Sequence, residues 1–269
     1  MGDLSGFVMA LKRFSGPVLA GFDFPIGVPR FYGERTGLPD FRALLAAAGT
    51  GRWSRFFDVA VGPNEIGLER PFYPMRPGGT GRVQLLQGLG ATAMDQLMRR
   101  CERRTADRPA GCCLFWTLGG NQVGKAALAG WREAIRPLLE AGAALWPFDG
   151  ALEELSTPGG VVLAETYPAE AYRHVGISPG PLRSKREVAH RREAMAGLRT
   201  RCAGHGIHLT PALEREVANG FADAGTRGED AFDALAGLLG MIEVADGRRA
   251  PGPRDPDPWE GWILGQSAG

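Results

Sequence analysis

The sequence predicts an α/β fold, and three patterns predict it. Short apolar runs end in an acidic residue: Pro17 to Phe22 leads into Asp23, "AALWPFDG" into Asp149, and "GVVLAETYP" into Glu165. Segments with helical spacing, such as Leu4, Phe7, Val8 and Leu11, alternate with those runs. Gly and Pro mark the boundaries between them. Strands alternating with helices are the signature of α/β architecture.

Taken in order, residues 3–14 read as a helix, Pro17 to Phe22 as a buried strand, and "FPIGVP" as the loop after it. Residues 38–49 and 52–60 are expected to be helical, and 61–82, dense in Gly and Pro, an irregular excursion. Residues 83–104 read as helix, 112–118 as strand, and 126–141 as helix. The strands ending at Asp149 and Glu165 follow, with Pro168 stopping the second. Residues 183–201 form a basic helix and 211–222 another. The helix 229–245 is expected to start with a capping box of Thr226 and Glu229. A loop-like tail carries Trp259 and Trp262. The whole of 1–269 reads as one domain with an insertion over about 28–110.

Composition excludes several classes. With 31 basic and 30 acidic residues the net charge is +1, so any nucleic-acid contact needs a local patch. No run of about 18 apolar residues exists, so no membrane span is expected. The start "MGDLSGFVMALKRF" lacks the order of a signal peptide. The four cysteines form no C-x-x-C pair, and a reducing, cytoplasmic setting is the expectation.

Four carboxylates carry the chemistry. Asp23 and Glu165 end strands, and Asp230 and Asp233 lie three apart on one helix face. Gly237 and Gly240 on that face would let the helix approach a sheet closely. Acids held together need a cation, and hard oxygens suit Mg²⁺ or Mn²⁺. Two such ions activate water and stabilise the leaving oxygen of a phosphodiester. Simpler roles stand beside this one, since Asp23 can cap its loop and Asp230 gains from the helix dipole.

The stretch "TLGGNQVGKAAL" fits the start of a phosphate-binding loop through Gly119, Gly124 and Lys125. Ala126 stands where a Mg²⁺-binding hydroxyl belongs, so a Walker-type ATPase is not expected. A structural turn, or an anion-binding turn at a helix start, remains open. "LRSKREVAHRREAMAGLRTRC" is rich in Arg, which suits either a nucleic-acid backbone or a solvated, ion-paired face. Cys202, His205 and His208 in "CAGHGIH" are close enough for a metal but lack a fourth ligand.

"LAGFDFPIGVP", "AETYPAEAYRHVG" with the later "SKR", "EDAFDALAGLL" and "EGWILG" resemble the domain of unknown function 429 over about residues 3–266. That family is described as nucleases predicted on a ribonuclease-H-like fold. The resemblance implies a mixed sheet flanked by helices, and a metal-dependent nuclease or phosphodiesterase with Asp23, Glu165, Asp230 and Asp233 as catalytic metal ligands. It implies phosphate contacts from Lys125, Gly120, Asn121, Lys185 and Arg186, and nucleic acid or a phosphorylated small molecule as partner. "DAFDALA" also resembles the acidic helix of Holliday-junction resolvases. The family's fold opens on an antiparallel meander with an acid on its first strand. This sequence opens on the helix that follows, so those strands, that acid and full activity are expected to be missing. The open edge of Pro17–Phe22 would then be covered by the Trp259–Trp262 tail or by a second copy in a homodimer. Two other functions fit the same residues: a nucleotide-binding phosphotransferase or ATPase using "GGNQVGK", and a non-catalytic binding protein.

Overall fold

A computed structural model describes residues 4–11, 13–75, 81–105, 109–118, 123–177 and 184–267. The protein is mixed α/β and divides into two compact units, one of Met1–Glu165 with Gly252–Ile263 and Ser267–Gly269, the other of Thr166–Pro251 with Leu264–Gln266. Among the described residues no helix is long and apolar enough to cross a membrane.

The first unit contains helices α1 (Leu4–Leu11), α2 (Arg30–Arg35), α3 (Phe41–Ala47), α4 (Arg82–Leu89), α5 (Val123–Gly130), α6 (Arg136–Glu140) and α7 (Leu152–Leu155). Its strands are β1 (Val18–Phe22), β2 (Ala144–Leu145) and β3 (Val161–Glu165). They form a parallel sheet in the order β1-β3-β2, with Val18 beside Val161 and Phe22 beside Glu165. β3 is central, and Val162, Leu163 and Ala164 are buried, as a continuous apolar run in a covered sheet should be.

The insertion is part of the core. Tyr32, Phe41, Phe56, Phe72 and Leu85 are fully buried, and Phe41, Phe56 and Phe72 surround Trp131. Phe72 and Tyr73 come from the Gly/Pro-rich excursion, whose turns place two aromatics inside without regular structure.

Several expected elements differ. Residues 52–60 are a 3₁₀ turn at Gly51–Trp53 followed by irregular turns. The helix expected over 83–104 stops at Leu89, because Gly90 takes a left-handed φ of 66°, and two 3₁₀ turns follow. Residues 112–118 contain a turn in place of a strand. The Trp116 amide bonds back to Cys113 O, and one bridge joins Trp116 to Tyr73. Both conformations bury the apolar run, so periodicity could not separate them. "AALWPFDG" keeps only a two-residue strand, since Asp149 Oδ2 accepts from the Leu145 amide at 2.7 Å and closes a turn. The helix expected over 126–141 starts at Val123 and includes a π turn at Trp131–Ile135 before Pro137, which has no N–H to give.

The tail does not cover β1. Trp259 O accepts from the Val28 amide at 2.8 Å. Ile263 bridges Glu165 in parallel; because Phe22 already pairs with Glu165 on one side, the tail lies along the other edge of β3.

The second unit is helical: α8 (Pro168–His174), α9 (Val188–Ala194), α10 (Leu198–Gly204), α11 (Pro211–Asn219) and α12 (Gly228–Ala245). Val175, Met195, Leu198, Val217, Phe232 and Leu239 form its core. Pro168 opens α8 as its first residue, where a missing N–H costs nothing. The expected basic helix is two helices, α9 and α10, and Arg191 faces inward, bonding to the carbonyls of Gly220, Lys185 and Arg186. α12 starts at Gly228 with Arg227 at its N-cap, one residue after the Thr226 of the expected capping box, whose side chain lies outside what the structure describes. Gly240 on its inner face admits α8: a Cβ there would lie 3.1 Å from that of Ala171.

Candidate acidic and phosphate-binding site

Asp23 and Glu165 belong to the first unit, Asp230 and Asp233 to the second.

In the first unit the parallel register brings the two acids to neighbouring strand ends. Glu165 pairs with Phe22, and Asp23 is the next residue. Their surroundings differ sharply. Asp23 is exposed, while Glu165 is buried. The Glu165 carboxylate accepts from Arg99 Nη1 at 2.6 Å, Arg99 Nη2 at 2.8 Å and the Ile26 amide at 2.7 Å. Arg99 is itself 1% exposed and donates further to Glu102 Oε1 at 2.9 Å and to the carbonyls of Ile26 and Glu260 at 3.2 Å. A bidentate guanidinium–carboxylate pair is the strongest ordinary ion pair in geometry and charge. Burial holds the Glu102 carboxyl above the usual range, and Arg99 opposes that rise only in part. Burial also pushes the Cys113 thiol up to about 12, so it is not a thiolate near neutral pH.

In the second unit α12 gathers a separate cluster. Glu229 and Asp233 are one turn apart on one face. Lys185 Nζ donates to Asp233 Oδ2 and lies 3.4 Å from Glu229 Oε1. Tyr172 Oη, from α8, donates to the other Asp233 oxygen. Arg186, 86% exposed, reaches Glu229 Oε2 at 3.9 Å. Burial alone would lower the Lys185 pKa, but the hydrogen bond and charge of Asp233 and the charge of Glu229 outweigh it and hold the ammonium above its usual value. Lys185 therefore stays charged across the neutral range. Asp230 is exposed on the outer side of the same turn.

No protein-family model, curated protein or solved structure matches this chain.

Lys125 is exposed on the first turn of α5; Gly120 and Asn121 lie outside the described residues. Cys202 is buried in α10, and His205 Nδ1 lies 3.3 Å from Glu243 Oε1. Among the described residues no group of three or more His, Cys, Asp or Glu is arranged to hold a metal ion. The oxygen donors of Glu229 and Asp233 nonetheless suit a hard divalent cation, and an ammonium lies against both.

Sequence reasoning missed Arg99, Glu229 as a site residue, and Tyr172. Glu229 had a signal, its spacing of four from Asp233. Tyr172 lies inside a motif that had been singled out. Arg99, in "LMRRCERR", carried none.

Proposed function

We propose that the chain is a divalent-metal-dependent phosphodiester hydrolase of the nuclease class, built on the ribonuclease-H-like plan that its resemblance to the domain of unknown function 429 implies, and acting in the cytoplasm on nucleic acid or a phosphorylated small molecule. The observation that supports this reading is the α12 cluster: two carboxylates one turn apart, with a lysine ammonium against both. A Mg²⁺ or Mn²⁺ ion carries more charge than that ammonium and competes for the same oxygens. Lys185, once displaced, stands beside the exposed Arg186 and can take a phosphate oxygen. Glu229 and Asp233 would hold such an ion, which when bound would supply an activated water and neutralise charge on a phosphoryl group. Asp230, an exposed carboxylate on the same helix, is the further ligand candidate at this cluster; Asp23, exposed in the first unit, is a ligand candidate of that unit alone.

The test is Mn²⁺ titration together with cleavage of DNA, RNA and an activated phosphodiester. Asp233→Asn is expected to lower affinity and rate by about 10- to 100-fold. Lys185→Gln is expected to raise Mn²⁺ affinity, because the competing cation is gone, while lowering the rate. Mn²⁺ affinity unchanged in both variants removes the cluster from the reaction.

The proposal includes a homodimer across β1. Among the described residues β1 pairs only with β3. Residues 14–22 contain no charge to repel a second copy, and Gly21 is exposed. Sedimentation should show a dimer for the natural chain and a monomer for Gly21→Lys. A natural chain that sediments as a monomer at micromolar concentration refutes it.

A further inference from the structure

The loop that carries Asp23 out of β1 is caught at successive peptide groups. Pro25 O accepts from Trp131 Nε1 at 2.7 Å, and the Ile26 amide donates to Glu165 Oε2 at 2.7 Å. Ile26 O accepts from Arg99 Nη1 at 3.2 Å, and the Val28 amide donates to Trp259 O at 2.8 Å. Two of these four bonds come from one buried ion pair. Arg99 and Glu165 therefore do three things together: they neutralise each other, close the end of β3, and fix both polar groups of Ile26, three residues after Asp23. Both Glu165 oxygens are occupied by this work, and its side chain is 5% exposed.

We propose that Arg99 and Glu165 are a clamp that positions the Asp23 loop, and that Glu165 acts through this clamp and not as a metal ligand. Only the consequence at Asp23 rests on the metal-dependent reading above; the clamp itself does not. A carboxylate that must ligate a metal would have to surrender a bidentate guanidinium inside the protein, leaving Arg99 buried with Glu102 alone. A positioning carboxylate never leaves it. The loop would then present Asp23 with its backbone preset, as precise sites require of their supporting residues.

Two measurements on the full chain separate the roles. The first is amide exchange. Glu165→Gln removes the charge but keeps the shape, and the Ile26 and Val28 amides should exchange about tenfold faster or more, while Val162 and Leu163 in β3 hold theirs. Asp23→Asn should leave Ile26 and Val28 unchanged. The triple variant Arg99→Met, Glu102→Gln, Glu165→Gln removes all three charges together and serves if a single change unfolds the protein; the same two amides should speed up in it. The second measurement is Mn²⁺ affinity in Arg99→Lys, which keeps a charge but loses the two-pronged grip. A clamp predicts lower or equal affinity. A ligand held back by Arg99 predicts higher affinity. Unchanged exchange at Ile26 and Val28, or a rise in Mn²⁺ affinity in Arg99→Lys, overturns the proposal. If the natural chain binds no Mn²⁺, the metal-dependent reading fails, and the exchange result alone decides the clamp.

Discussion

Arg99→Met is expected to destabilise the first unit by about 3–5 kcal/mol at neutral pH. The substitution keeps most of the side-chain volume and removes one charge. Two carboxylates, Glu165 and Glu102, then remain buried without their counter-charge. Stranding buried charge costs far more than the intact pair contributes, because the desolvation is kept and the attraction is lost. The carbonyls of Ile26 and Glu260 lose a donor as well. The pH dependence has a definite sign. Glu102 already titrates above its ordinary 4.5 because of burial, and losing Arg99 moves it further up. A group whose folded pKa is raised contributes stability that is present below its unfolded pKa and lost as pH rises through the folded value. The deficit of the variant should therefore shrink as pH falls toward 4.5 and widen toward neutrality. All six tryptophans lie in the first unit, so urea unfolding followed by their fluorescence reports this unit in particular. The triple variant that removes Arg99, Glu102 and Glu165 charges together should recover most of the loss. A single variant within about 0.5 kcal/mol of the natural chain would show that the network is not a stabilising element.

That network also marks the limit of what the sequence discloses. The strand ends with Asp23 and Glu165 were legible, because a short apolar run followed by an acid constrains both conformation and position. Helical spacing put Asp230 and Asp233 on one face; Asp233 is buried, while Asp230 is exposed. Partners were not legible. Arg99 is 66 residues from Glu165 in the chain, and Lys185 is 48 from Asp233. Nothing local at an arginine says whether it is solvated or buried, since the difference lies in what the fold brings to it. The Gly/Pro-rich excursion was legible as irregular, but its burial was not: Phe72 and Tyr73 are fully buried, because turns can deliver aromatics to a core as well as helices can. Where an apolar run was short and uniform, as in residues 112–118, burial was predictable and conformation was not.

The second large effect concerns the stretch that looks like a phosphate-binding loop. Gly124 and Lys125 are expected to separate completely on substitution. Gly124 lies in the first turn of α5, where a Cβ would be 2.3 Å from Leu114 O and 2.5 Å from Trp116 O. Those are backbone oxygens, and the Gly124 amide already donates to Trp116 O at 2.8 Å. Neither atom can swing aside as a side-chain tip would. Gly124→Ala must push the helix off residues 114–116 or break that bond, at a cost of about 1–3 kcal/mol or more, as for other overpacked sites. Lys125 is exposed, so Lys125→Ala should change stability by no more than about 0.5 kcal/mol. In a working nucleotide loop the order reverses for activity: the lysine is the residue whose loss abolishes hydrolysis. Ala126 offers no oxygen to Mg²⁺ at the position that needs one. The expected result is therefore a strong stability loss for Gly124→Ala, none for Lys125→Ala, and no Mg²⁺-dependent ATP hydrolysis in any of the three proteins. ATP hydrolysis that disappears with Lys125→Ala would instead make this stretch a nucleotide site and the phosphotransferase reading the leading one. A Gly124→Ala variant as stable as the natural chain would mean that α5 can move away from residues 114–116 without cost, and that the glycine is there for something other than close approach.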